Sequence, residues 1–287
     1  MRSIIQHLRF PFSYLLLPVF LFAIASVDLN DVNKFHVCLL FFILHFLVYP
    51  SSNAYNSLQD QDTGSVGLIK NPLPASREIG FVSLIMDSAA VLLSFIISWQ
   101  TALYIFIYII ASRLYSYRNI RLKQFPILGF LVVFFFQGAF TYFLVIDSLD
   151  RFIFELWLNV TPIYAIVASC LIGAIYPLSQ IYQHTEDKAD GVTTISYLLG
   201  KKGTFVFSGV FFLLGILLFS LPIYNTPEQH LIYLFLLFQL PSLIYFNYWF
   251  YQVIRDERAA NFKHTMRMNL ISATCMNAFF LYLIFGV

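Results

Sequence analysis

The chain reads as an all-α integral membrane protein, a bundle of about nine transmembrane helices with cytoplasmic cap loops. Three observations predict this. Of 287 residues, 59% are hydrophobic and only 11% charged, with a mean hydropathy of +0.75, which excludes an ordinary soluble domain. The apolar residues gather into runs long enough to cross a hydrocarbon layer of about 30 Å, near 12–27, 36–56, 79–99, 101–117, 127–147, 153–182, 204–224, 229–254 and 268–286. Finally, of 17 Lys and Arg only Lys34 and Arg151 lie outside the N-terminus and the exits of the even-numbered runs. That bias places the N-terminus and those exits in the cytoplasm, in an integral membrane setting consistent with a bacterial inner membrane.

Each element follows from the same logic. Arg2, His7 and Arg9 precede the first run and no small-residue cleavage pattern follows it, so it is expected to remain as a span. The second run ends on Tyr49 and Pro50, the sixth on Tyr176 and Pro177; with Pro18 and Pro241 these prolines predict kinks. Asp87 in the third run and Gln137 in the fifth are costly in hydrocarbon unless they face the bundle interior or a partner, which makes Asp87 a secondary functional candidate. Asn159, Asn247, Asn269 and Asn277 suit hydrogen bonds between helices. His45 suits a packed neutral imidazole. Segment 63–76 has the glycines and prolines of an ordered cap and is expected to contain a short helix; segment 193–203 reads as an amphipathic piece with a glycine stop. Cys38, Cys170 and Cys275 stand singly in apolar runs, with neither disulfide nor zinc spacing. No polar linker divides residues 1–287, so one domain is expected, and no nucleic-acid partner.

The most informative feature is a repetition. Without a gap, residues 49–64 match 176–191 at Tyr49/Tyr176, Pro50/Pro177, Ser52/Ser179, Tyr55/Tyr182, Asp60/Asp187 and Gly64/Gly191, with amides paired at Asn53/Gln180 and Asn56/Gln183. Positions 53, 56 and 60, like 180, 183 and 187, fall at i, i+3, i+7 and predict one helical face each. Both motifs leave even-numbered runs, so they share a membrane face, as a parallel internal repeat requires. Each adds further acid: Asp62 in the first, Glu186 and Asp190 in the second.

Carboxylates and amide oxygens are hard ligands suited to Mg2+, which is commonly bound by one or two carboxylates together with substrate phosphates. A diphosphate neutralised by a metal ion is a good leaving group, and the apolar interior behind it would take an isoprenoid tail. Basic residues suited to phosphate contact follow the fourth run at Arg113, Arg118, Arg121 and Lys123, and the sixth at Lys188, Lys201 and Lys202. His184 beside the second motif is a candidate proton acceptor or a solvated loop residue.

On these residues the chain resembles the UbiA superfamily of intramembrane prenyltransferases over nearly its whole length. The family's NDxxDxxxD motif maps onto Asn56 and Asp60, with Gly64 at its last acidic position. Its second motif, DxxxD followed by glycine, maps onto Gln183, Asp187 and Gly191. The segment 114–123, with Tyr117, Arg121 and Lys123, is similar to the tyrosine-plus-basic element after helix four. The resemblance implies transfer of a prenyl group from an allylic prenyl diphosphate to a small aromatic, isoprenoid or lipid acceptor, with release of diphosphate. It further implies Mg2+ at Asp60, Asp62, Glu186, Asp187 and Asp190, with Asp60, Asp187 and Lys123 catalytic. Asn53, Asn56, Gln180, Gln183, Tyr117 and Arg121 would contact substrate. A membrane terpene cyclase of the same superfamily is the alternative, and a transporter with an internal repeat is less favoured because its site would sit near the midplane.

Overall fold

The computed structural model describes residues 1–61, 64–149 and 161–286. Among them there are helices and turns but no strand, apart from an isolated bridge between Val66 and Ile69. In hydrocarbon every backbone polar group must be satisfied within its own segment, and the helix is the economical solution for an open chain.

A short α1 (Arg2–Leu8) and a 3-10 turn (Phe10–Leu15) lead into α2 (Leu17–Ala25). Asn33 caps α3 (Lys34–Phe42) by accepting from the Phe35 N–H, and the helix runs through a π stretch, Ile43–Val48, into α4 (Tyr49–Asp60). The π stretch lies immediately before Pro50, whose ring clashes with the preceding turn and offers no N–H, so widening that turn absorbs the defect. Two helices follow, α5 (Glu78–Ser94) and α6 (Trp99–Ser116), the latter capped by Ser98. Next, α7 (Pro126–Val133) passes through a second π stretch, Phe134–Phe140, into α8 (Thr141–Leu149). Beyond it stand α9 (Thr161–Gln180), a short α10 (His184–Ala189), α11 (Ile195–Ser220), α12 (His230–Arg255) and α13 (Phe262–Phe285).

Seven of these helical segments are long and apolar enough to cross a membrane. At 17 and 18 residues, α5 and α6 occupy two further predicted runs but fall short on combined length and hydropathy. The expected count of about nine is therefore reached only by including them. The chain is an integral membrane protein: its outward faces carry large exposed apolar side chains such as Phe81, Leu92, Leu213, Leu217 and Ile244.

Packing divides the bundle lengthwise. A dense aromatic core, with Phe22 stacked on Phe280 and in contact with Tyr142, Tyr164 and Phe219, fills one end. It draws on residues 19–24, 139–149 and 276–280, which leaves the opposite ends of the same helices for polar groups. The second π stretch approaches α9 so closely that a Cβ at Gly138 would stand 2.4 Å from Ser169 Cα, and Ser169 Oγ accepts from the Ala139 N–H at 2.9 Å. Small residues at such a crossing are what lets helix backbones approach in a membrane.

Several expectations change here. Segment 64–76 holds no helix; it closes as a turn through mutual Val66 and Ile69 backbone bonds of 2.9 Å. The glycine stop is Gly200, but with φ 67° it breaks α11 internally and the helix resumes. Pro177 lies inside α9 without the π stretch that precedes Pro50, so the two prolines are accommodated differently. Asp62, Arg151 and Asn159 lie outside the described residues.

Candidate active site

At the end of the bundle away from the aromatic core is a cavity of about 260 Å³. Of the twelve residues given a metal, catalytic or substrate role from the sequence, ten line it: Asn53, Asn56, Asp60, Arg121, Lys123, Gln180, Gln183, Glu186, Asp187 and Asp190. The two motifs thus meet across one space.

The first motif behaves as the spacing predicted. Asn53, Asn56 and Asp60 sit on the single helix α4, which stops one residue later because Gln61 turns left-handed at φ 54°. Asp60, its side chain 6% exposed, is bound by Lys123 and by Arg121, the latter at 3.1 Å. Asn56 Oδ1 accepts from Ser116 Oγ at 2.9 Å and from Lys123 Nζ at 3.3 Å, so this amide orients the lysine.

The second motif departs from prediction. α9 ends at Gln180, and Asp187 belongs to the separate six-residue α10, so 180, 183 and 187 do not share one continuous helical face. The chain instead folds back: the Asp187 N–H donates to the Gln183 carbonyl at 2.9 Å and the Val192 N–H donates to the Asp187 carbonyl at 2.8 Å. Gly191, at φ 70°, permits that return.

Arg121 joins the halves, because it pairs with Asp60 and with Asp190. Burial works against the Arg121 charge, but the two carboxylates outweigh it and raise its pKa above the ordinary value. Partial burial likewise opposes the Asp190 charge, yet Arg121, Arg118 and Lys123 hold its carboxyl below the usual range. Glu186 has no such help, and desolvation pushes its carboxyl up. Arg9 and Arg121 are both buried, line the cavity and adopt left-handed φ values of 47° and 45°. Non-glycine residues keep such conformations where their surroundings over-determine them.

Other candidates stand elsewhere. Tyr117 is 40% exposed and off the cavity, its hydroxyl accepting from Asn119 Nδ2 at 2.9 Å. The tyrosines that do line it are Tyr115, Tyr176 and Tyr182; the first two are hydrogen-bonded to each other at 2.5 Å, with Gln180 Nε2 donating to Tyr176 at 2.7 Å. Asp87 forms an internal ion pair with Arg113, which also donates to Ser51 at 2.7 Å and lies 4.1 Å over the Tyr55 ring. Neither Asp87 nor Arg113 reaches the cavity. Lys188, Lys201 and Lys202 do not line it either; Lys201 donates to the Glu257 carbonyl at 3.0 Å. His184 bonds Ser196 Oγ at 2.8 Å, and burial with Lys201 nearby lowers its pKa to about 4. His45 is packed between Phe41 and Tyr49, with a ring nitrogen 3.1 Å from the Ser13 carbonyl.

Sequence reasoning gave no site role to Arg9, Tyr115, Tyr176 or Tyr182 and undervalued Gln137 and Asn269, all cavity residues. Arg9 looked like one more topological charge. The signal for Gln137 was its cost in hydrocarbon, and it falls in the second π stretch, a device common at functional sites.

A second, apolar cavity of about 350 Å³ adjoins the first and shares Leu15, Ile172, Ile175 and Asn269 with it. A polar chamber lined by three basic and four acidic side chains thus adjoins a greasy one.

Comparison with known proteins agrees. The sequence profile of the UbiA prenyltransferase family matches residues 15–271. The chain belongs to that family. Among solved structures, a UbiA homologue from Archaeoglobus fulgidus bound to DMAPP and Mg2+ is 15% identical, with 99% of this chain and 100% of that chain covered at a TM-score of 0.71. A ligand-free UbiA homologue from Aeropyrum pernix K1 is 14% identical, covering 96% of this chain and 97% of that one at 0.61. A structure of digeranylgeranylglyceryl phosphate synthase is 17% identical, covering 99% and 97% at 0.60. A search of curated protein sequences finds no match. At these identities the structural likeness establishes the UbiA fold.

Proposed function

We propose that this UbiA-family chain transfers the prenyl group of an allylic prenyl diphosphate to a small aromatic, isoprenoid or lipid acceptor and releases diphosphate. The observation that carries the reading is the convergence of both motifs with Arg9, Arg121 and Lys123 on one polar cavity that continues into an apolar one. The A. fulgidus homologue, bound to DMAPP and Mg2+ in one structure and to GPP and Mg2+ in another, is consistent with it.

The donor set fits a hard divalent cation such as Mg2+. Among the described residues no three acidic, imidazole or thiol groups form a ready-made metal cluster, as expected where substrate phosphates complete the shell. The Gln180 Oε1 atom is buried beside the carboxylates without a partner, an acceptor left for a cation or a donor. Asp60 and Asp187 would hold the ion, with Glu186 and Asp190; Asp62 belongs to the same proposal. The ion's contribution is charge neutralisation on the diphosphate.

The remaining work belongs to the protein. Lys123, Arg121 and Arg9 are placed to bind the diphosphate oxygens and to stabilise the charge that accumulates as the allylic C–O bond breaks, its electron pair leaving with the phosphate. Asn53, Asn56 and Gln183 orient these groups. Tyr115 and Tyr176 line the cavity, where aromatic rings would stabilise an allylic cation, and the apolar walls would limit its capture by water. The acceptor's electron pair then forms the new C–C or C–O bond, and the acceptor loses a proton. The charge bias favours a cytoplasmic opening, in a bacterial inner membrane.

Pyrophosphate release from a prenyl diphosphate by the purified protein in Mg2+ should be abolished in Asp60→Ala and Asp187→Ala; full turnover in both would remove the assignment. An acceptor-dependent adduct identifies transfer, whereas a cyclic product formed without acceptor identifies cyclisation.

A further inference from the structure

The matched glycines of the two motifs serve different ends. At Gly191 the backbone is left-handed and nothing lies within 4 Å of where a Cβ would stand, so glycine is there for conformation alone. At Gly64 the backbone has no such requirement, yet a Cβ would stand 1.7 Å from Glu186 Oε1, 2.4 Å from its Cδ and 2.7 Å from Oε2. The Glu186 carboxylate therefore fills the volume that a side chain at residue 64 would occupy. It has crossed from α10, in the second motif, to the loop that closes the first, and it lines the cavity with Asp60, Asp187 and Asp190. Gln180 Oε1, in a residue only 7% exposed, faces the same cavity without a hydrogen-bond partner.

We propose that Gly64 and Glu186 together form one divalent-cation-ligating position, in which the second motif lends the first a carboxylate and Gly64 is small so that it can enter. This rests on the reading of the cavity as a cation and diphosphate site. The two motifs are then coupled through the position of α10, which carries Glu186, and through the shared ion, and a side chain at residue 64 competes with Glu186 for one space.

The competition supplies the test. Mn2+ binding to the purified full chain, with inorganic pyrophosphate present, is followed by the EPR signal of free Mn2+, and thermal unfolding is recorded in parallel. Glu186→Gln should weaken Mn2+ binding at least about tenfold, since even the outer partners of metal ligands are worth 10–100-fold. Gly64→Ala should weaken it too, by displacing the carboxylate, while leaving the unfolding temperature unchanged. Gly64→Asp combined with Glu186→Ala should recover most of the affinity lost in Glu186→Ala, because an aspartate at 64 returns a carboxylate to the same volume. Wild-type affinity in both Glu186→Gln and Gly64→Ala, or a double variant no better than Glu186→Ala, overturns the shared position. In either case, loss of Mn2+ in Asp60→Asn leaves the wider reading standing. A wild-type protein that binds no Mn2+ overturns both.

Discussion

The two motifs carry almost the same polar residues but are built to different mechanical standards. The first lies on one unbroken helix, and its acid, Asp60, is nearly inaccessible and clasped by two cations. The second is split between the end of α9 and the short α10, and its Asp190 is 38% exposed. Residue pattern therefore specifies which groups reach the cavity, while the backbone decides how firmly each is held. The first half is thus held as one packed helix, and the second by a shorter and more exposed scaffold, which makes it the half expected to be adjustable.

The sharpest way to break this contrast is to remove one acid from each side. Asp60→Asn leaves Lys123 and Arg121 facing a neutral amide in a buried site, where breaking a pair costs about 3–5 kcal/mol. It should lower the unfolding temperature clearly and eliminate turnover. Asp190→Asn removes a more exposed charge while Arg121 keeps Asp60, so its stability cost should stay within about 1 kcal/mol, as for surface pairs. Equal thermal shifts in the two variants would erase the distinction between a rigid and an adjustable half.

Cations divide in the same way. Lys123→Met removes a donor aimed into the cavity and should reduce turnover by roughly 10²–10³, the usual cost of losing one preorganised charge-stabilising donor. Lys201→Met, on the second motif's side but off the cavity, should remain near wild type. A comparable loss in Lys201→Met would mean that α11 closes over the site during turnover.

The fold was largely legible because hydrocarbon enforces it: apolar runs become helices wherever backbone groups have no water. The convergence of Asp60, Asp187, Lys123 and Arg121 was legible from charge placement and the repeat. What escaped were features decided by local backbone geometry. Matching Gln180, Gln183 and Asp187 to an i, i+3, i+7 face assumed a continuous helix, whereas the chain turns at 181–183. Tyr117 was preferred to Tyr115, but α6 stops at Ser116, so Tyr117 swings outward while Tyr115 remains on the inner face. Arg9 is drawn inward by a left-handed residue that no periodicity announces.

The adjustable half also carries a titrating group outside the spans. Burial and Lys201 hold the His184 pKa near 4 against an ordinary 6.5, so the unfolded segment takes up a proton before the folded one does. Stability from this source is complete above about pH 6.5 and declines as the pH falls toward 4. Amide exchange across 184–200 should therefore quicken over that interval, relative to α4, and the acceleration should vanish in His184→Gln. An unchanged profile in that variant would assign the softening to the carboxylates of the cavity.

The smallest effects concern how each motif ends. α4 exits through Gln61 at φ 54°, and the second motif turns back through Gly191 at φ 70°. A side chain in the left-handed region costs roughly 1–2 kcal/mol, although Gln61 recovers part of this by donating to the Leu58 carbonyl at 2.8 Å. Gln61→Gly should thus be neutral or stabilising, by less than about 1 kcal/mol, and Gly191→Ala destabilising by about 1 kcal/mol even though its Cβ would meet no neighbour. Because sterics are absent at Gly191, a destabilised Gly191→Ala isolates conformational cost alone. A neutral result there would mean that the 188–192 return bends freely enough to admit an ordinary φ, making the second motif more adjustable still.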